Sequence, residues 1–332
     1  MPFHSTSSPR VPGPNGVRHQ ASPSASLDAR IQFVPGGCSS ILEPEVQRPG
    51  CLVTYQMEVA MVSVPLSDLK NDSINPDDAI LIFEKDDHKV YWIGTHTGGD
   101  EIECNTYLIL DGNEGYLLEP GGFDRFPHVF KKVCLLLSPM SITHLFFSHQ
   151  DPDICASFPS WTKWNEDIKL VVSSLWTRFM LHYETRDVSG KAHNLNFVKV
   201  PDEGLSIPLK DGGRLDCLSA PFLHSPGNIL VHDTVSGFLF SGDVGAAMYK
   251  DRTFRLVIDD WSAHTQAMQG FHQRYMSSNR AVAGMNKRLA PLPITAILPQ
   301  HGCIFRGEEV SRFTQWLGKL PVGADYFYPD LA

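Results

Sequence analysis

The alternation of short apolar runs with longer amphipathic ones is the strongest constraint on what this chain can fold into. Period-two or continuously apolar segments, the mark of half-buried and fully buried strands, fall at residues 51–64, 80–84, 89–93, 106–110 and 116–119. Asp-Gly and Gly-Gly turn signals separate several of them. Residues 66–78, which include Pro76, form a connection. A helix-period stretch at 124–138 then sets Phe126, Val129, Phe130 and Val133 on one face. A strand at 142–147, a helix at 154–164, a strand at 168–173 and a helix at 175–184 follow. After Gly190 the β texture returns at 196–200, 204–208, 214–219, 229–233 and 237–240. A long helical region at 261–287, an apolar strand at 294–298 and an amphipathic helix at 308–320 close the chain.

Strands followed by βα units, twice over, predict two similar halves. The economical solution is an α/β fold of two mixed sheets, with helices on the outside and loops gathered at the strand ends along one edge. At 332 residues and 42% hydrophobic, the chain can bury one large core. One domain is expected over 49–332. Residues 1–48 are expected to be a disordered extension. Their first part is rich in Ser and Pro, carries Arg10 and Arg18, and lacks the apolar run of a secretory signal.

A net charge of −9 argues against nucleic acid or an anionic membrane as partner. No window approaches the run of roughly 18 apolar residues that a membrane span needs. The 7 cysteines are scattered, with no Cys-x-x-Cys. That usage fits free thiols in a reducing compartment, and the cytoplasm is the expected location.

Chemistry concentrates at the strand ends. Ser148-His149-Gln150-Asp151-Pro152-Asp153 follows the strand at 142–147 and places an imidazole and two carboxylates on one short loop. Three later loops have the same character: Phe222-Leu223-His224-Ser225-Pro226, Ser241-Gly242-Asp243 and Gln300-His301-Gly302. If the four loops converge, His149, Asp151, Asp153, His224, Asp243 and His301 meet. Six nitrogen and oxygen donors exceed the needs of one tetrahedral zinc and suit a pair of divalent ions sharing a carboxylate.

These loops, together with Asn105-Thr106-Tyr107-Leu108-Ile109, resemble the metallo-β-lactamase fold, a four-layer αββα sandwich. Within that fold they are similar to the diiron domain of the flavodiiron proteins, and most of all to the oxygen-binding diiron proteins of bacterial oxygen sensing. The likeness spans roughly residues 80–310. It implies that His149, Asp151 and His224 hold one metal, that Asp153 and His301 hold the other, and that Asp243 bridges them. Two non-haem irons are implied, with zinc or manganese the alternatives. Hydrolases of the fold carry His where this chain has Asp151, and His directly after the second Asp, where it has Ile154. The harder, more anionic set favours redox-active iron over zinc, and Ile154 leaves the second ion an open position for a diatomic gas.

The implied function is binding of O2, as a sensor or slow oxidoreductase. The alternatives are a dinuclear hydrolase of esters or phosphoesters, and an O2 or NO reductase. A flavodiiron reductase carries an FMN domain downstream. Few residues follow His301, so electrons are expected from a separate donor if they are needed, or the output from a signalling protein. A homodimer is compatible with the sequence. His96 is a candidate residue bordering the gas pocket, whereas His144, His232 and Tyr107 read as packed side chains. Cys155 and Cys303 read as buried thiols near strand ends.

Overall fold

A computed structural model describes residues 59–96, 102–183, 195–210, 212–251 and 253–331, all within the unit Gln56–Ala332. The expected extension at 1–48 and the first part of the strand expected at 51–64 lie outside the described residues.

The first half builds one sheet. Its strands are β1 (Met61–Ser63), β2 (Ala79–Lys85), β3 (His88–Trp92), β4 (Tyr107–Asp111) and β5 (Glu114–Leu118). Then come α1 (Phe126–Leu136), β6 (Ile142–Phe146), α2 (Pro152–Cys155), α3 (Phe158–Thr162), β7 (Lys169–Ser173), α4 (Thr177–Met180) and β8 (Asn196–Val200). The eight strands lie in sequence order, with β1 at the edge. β2 to β5 form an antiparallel meander, and β5 to β8 run parallel. The reason is connection length: tight turns join antiparallel neighbours, while a parallel neighbour needs a crossover.

The second half repeats the plan with β9 (Leu205–Pro208), β10 (Arg214–Ser219), β11 (Ile229–Asp233) and β12 (Phe238–Gly242). These precede α5 (Trp261–Tyr275), α6 (Asn279–Leu289), β13 (Ala296–Pro299), β14 (Phe305–Arg306), α7 (Glu308–Lys319) and α8 (Gly323–Phe327). The order in this six-stranded sheet is β14-β13-β12-β11-β10-β9, and only β12 and β13 are parallel.

Because side chains alternate along a strand, each sheet has two buried faces. Ile80, Val90, Trp92, Tyr107 and Phe146 of the first sheet meet Leu215, Val231, Phe240 and Leu298 of the second. The opposite face of the first sheet, including Leu81, Leu108 and Leu145, lies under Val129, Val133, Phe158 and Trp161. In the second, Leu230, Leu239 and Ile297 lie under Met268, Val282, Phe313 and Leu317. This is the expected αββα sandwich. Each such side chain removed from water stabilises the fold by roughly 1.5–3 kcal/mol, so three apolar layers hold the strand ends rigidly enough to carry a site.

Three helical expectations need correction. The single helix at 154–164 is two short ones, because Pro159 has no N–H for the Cys155 carbonyl and its ring would clash there. The helical region at 261–287 breaks at Met276, whose backbone is extended, and Ser278 caps the next helix by accepting from the Ala281 N–H. The helix at 175–184 is only α4; Glu184 lies outside the described residues. Sequence pattern also missed the two-residue β14 and the five-residue α8, both too short to show a period.

Candidate metal centre

The first loop leaves β6 and is gripped on both sides. Ser148 N–H donates to the Glu119 carboxylate at 3.1 Å, and the Ser148 carbonyl accepts from Ile229 N–H at 2.9 Å. The second of these bonds joins the first sheet's loop to β11. Pro152 opens α2, with its fixed φ suited to a first helical turn, and Asp153 follows on that turn. The His224 loop is closed by Ala220 N–H to the Asn228 carbonyl at 2.8 Å, and Ser225 Oγ donates to Gln150 Oε1 at 2.9 Å. Asp243 comes directly after β12, where Gly242 takes φ +54; a Cβ there would stand 2.5 Å from Ser148 Oγ. Gln300 N–H bonds the Gly242 carbonyl at 2.8 Å, setting the His301 loop against the Asp243 loop. Asn105 then clamps that loop to the first sheet, donating from Nδ2 to the carbonyls of Pro299 and Gly302, both at 2.9 Å.

The six expected donors converge. His149 Nε2 lies 3.1 Å from His224 Nε2, 3.5 Å from Asp151 Oδ2 and 3.6 Å from Asp243 Oδ2. His224 Nε2 lies 2.9 Å from Asp243 Oδ2 and 3.7 Å from Asp151 Oδ2. On the other side, His301 Nε2 is 3.3 Å from Asp153 Oδ2 and 3.5 Å from Asp243 Oδ1. Asp243 therefore turns one oxygen to the His149–His224 pair and the other to His301. Asp151 and Asp153 face solvent, with 37% and 36% of their side chains exposed, while Asp243 is 5% exposed.

The charges suit a cation in this space. Burial disfavours a charged His149, but the Asp243 and Asp151 carboxylates outweigh it and hold the imidazole up to about 9. Burial alone would raise Asp243, yet the three surrounding histidines hold its carboxyl well below the usual range. Without metal, protons hold the acids and imidazoles together, and metal must displace them. Asp243 Oδ1 is buried and has no hydrogen-bond partner, and two imidazole nitrogens face each other at 3.1 Å. A pair of ions would satisfy both, so the residues present fit a dinuclear centre.

A model of the ODP family of β-lactamase proteins matches residues 102–302. This chain belongs to that family. A solved structure described as a peroxy diiron species of the chemotaxis sensor ODP is 36% identical, with a TM-score of 0.65, over 77% of this chain and 100% of that one. The apo state of the chemotaxis sensor ODP from T. denticola is 37% identical over 77% and 99%, again at 0.65. The flavodiiron protein from Giardia intestinalis shares the fold at 16% identity and TM-score 0.60, over 70% of this chain and 57% of that chain. Among curated proteins, "Diflavin flavoprotein A 1" of Synechocystis sp. is 28% identical over 227 residues, 64% of this chain and 36% of its own length. The chain spans about a third of the length of the first curated relatives it matches. Among the described residues no helix is long and apolar enough to cross a membrane.

Against the ODP-family frame, the side chains expected merely to pack do so. His144 stacks on Tyr116 at 5.0 Å, and the buried Tyr107 donates to the Pro299 carbonyl at 3.1 Å. His232, Cys155 and Cys303 are buried. Ile154 is wholly buried in the outer apolar layer. His96 Nδ1 sits 3.2 Å from Glu103 Oε1, and the Glu103 carbonyl accepts from His301 Nδ1 at 2.9 Å, so His96 stands one residue removed from His301. Sequence reasoning missed Glu119, whose carboxyl is pushed by burial up to about 7, and Cys104, which touches Asp153 and His301. Glu119 carried no signal, ending a strand like any polar residue. Cys104 had one: it precedes the Asn105-Thr106-Tyr107 segment already tied to the site.

Proposed function

We propose that the chain is a non-haem diiron protein that binds O2, with His149, Asp151 and His224 on one iron, Asp153 and His301 on the other, and Asp243 between them. The carrying observation is that Asp243 presents Oδ2 to His149 and His224 and Oδ1 to His301. When bound, the iron pair supplies the redox-active centre at which the gas is taken up. The protein's own groups do the rest. Ser148 Oγ bonds His149 Nδ1 at 2.9 Å and the Glu103 carbonyl bonds His301 Nδ1, so each ring offers only Nε2 to the metal. Gln300 Nε2 holds Asp153 Oδ2 at 3.1 Å. Three carboxylates against two divalent ions leave a small positive charge, which lets the centre hold an anionic or reducible small ligand. Ile154 supplies no donor to the second iron, and that leaves room for a diatomic molecule.

The family resemblance favours sensing over rapid reduction. The relatives at 36–37% identity are described as a chemotaxis sensor, whereas a flavorubredoxin described as an anaerobic nitric oxide reductase matches only 37% of this chain. A signalling protein, or a separate electron donor, is the implied partner. The free buried thiols suit the cytoplasm.

The test is metal analysis of protein purified without oxygen, followed by titration with air. Two irons per chain and a visible band that grows with oxygen are expected. Two zincs, no colour and turnover of a generic phosphodiester would overturn the reading in favour of a dinuclear hydrolase.

A further inference from the structure

The two ions of the proposed pair are unequally supplied. One has His149, Asp151 and His224 besides the shared Asp243; the other has only Asp153 and His301 besides it. We infer that Cys104 Sγ is a further donor, a thiolate ligand of the second iron; with Asp153, His301 and Asp243 it makes four donors and still leaves that iron a position for the gas. This rests on the diiron reading above.

Cys104 is free, buried and fixed in place. The next residue, Asn105, donates its N–H to the Gln300 carbonyl at 2.6 Å and its side chain to the carbonyls on either side of His301. The thiol therefore cannot drift relative to the His301 loop. Sγ lies 3.8 Å from Asp153 Oδ2 and 3.9 Å from His301 Nδ1. Sulfur at about 2.3 Å and oxygen at about 2.1 Å from one ion, at a roughly tetrahedral angle, stand about 3.6 Å apart. The Sγ–Oδ2 separation of 3.8 Å is close to that. Asp243 Oδ1, buried and without a hydrogen-bond partner, is aimed at the same space 3.5 Å from His301 Nε2. Cys104, Asp153 and His301 thus form a three-donor cluster of their own, matching His149, His224 and Asp243.

The chemistry is consistent. Thiolate is a good ligand for iron, and a fourth negative donor offsets the charge that three carboxylates leave on two divalent ions. On binding, the S–H bond breaks, an Fe–S bond forms and the proton passes to solvent. No oxidation state changes. The competing view is a small packing thiol whose S–H points to the Ile102 carbonyl at 3.4 Å. A packing thiol would leave no sulfur at the metal.

The experiment uses the full chain loaded anaerobically with iron and, separately, with cobalt(II). X-ray absorption at each metal edge is expected to show one sulfur neighbour per two metals at about 2.3 Å. A sulfur-to-metal charge-transfer band is expected alongside it. Cys104→Ala should lose both features, with affinity for one ion of the two falling by at least about tenfold. Cys155→Ala, which removes the other buried thiol nearest the centre, should keep both features. A nitrogen-and-oxygen shell alone in the wild type, or a band that survives in Cys104→Ala, overturns the assignment while leaving a diiron protein. Absence of iron from the wild type overturns the diiron reading instead, and the cobalt spectra still decide whether Cys104 is a ligand. If Cys104→Ala does not fold, the wild-type sulfur shell settles the matter.

Discussion

Lowering the pH from about 7.5 to about 5 will destabilise the metal-free protein in part through one histidine, His272, and replacing it will flatten that response. His272 lies on α5, wholly buried. Its Nδ1 bonds the Met268 carbonyl at 2.9 Å, and its Nε2 accepts the Gly245 N–H at 3.0 Å. Both nitrogens are used, so a second proton must break the bond to Gly245, two residues beyond Asp243. Burial pushes the imidazole down to about 4, against smaller opposing pulls from the Met268 carbonyl and Asp243. The folded value lies below the unfolded value of about 6.5, so the unfolded state binds more protons between the two. Stability is therefore full above about pH 6.5, falls with pH through that window, and levels off below about 4. At pH 5 the loss is roughly 2 kcal/mol, and the slope is close to one proton. Urea denaturation of chelator-treated protein at the two pH values measures it. In His272→Gln, whose amide can still accept from Gly245, the drop should shrink by about 2 kcal/mol. Contributions common to both proteins, such as the raised His149, cancel in the difference. Parallel pH curves for wild type and variant would refute the reasoning.

Other expectations follow from the site. Asp151→His should shift preference towards zinc and abolish the oxygen-dependent colour, read by metal analysis and visible spectroscopy; unchanged content and colour would contradict the role given to Asp151. Asp243→Ala should cost both metals together, while His301→Ala should chiefly loosen one, by about 10-fold or more; equal losses in a metal titration would contradict the bridge. Gly242→Ala must force a side chain into φ +54 and against Ser148 Oγ. It should cost at least about 1–3 kcal/mol in thermal or urea unfolding and weaken metal binding with it.

The sandwich was legible because its strands are short, apolar and regularly punctuated, so β2 to β13 lie within a residue or two of where periodicity puts them. Helix ends were less legible. Pro159 and the extended Met276 act through the backbone, where an amphipathic count does not look. The six side chains proposed as donors could be picked out, and their convergence expected, because each stands just past a strand end with little else to explain it. Glu119 could not, since its significance lies in Ser148 across from it; Cys104 was marked only by its place before Asn105, and its neighbours Asp153 and His301 are far off in the chain. Proximity of residues nearly 200 apart, such as Asn105 and Gly302, is written in the pairing of two sheets and not in any local pattern.

Each proposed ion takes donors from both halves of the chain: His149 and Asp151 against His224, and Asp153 against His301. Neither half alone supplies all the donors proposed for either ion. The centre is thus a seam as well as a pocket. Any lengthening or shortening between donors must be absorbed by these four loops or by sliding of one sheet over the other, and Asn105, bonded across the join, lies directly in the path of that movement.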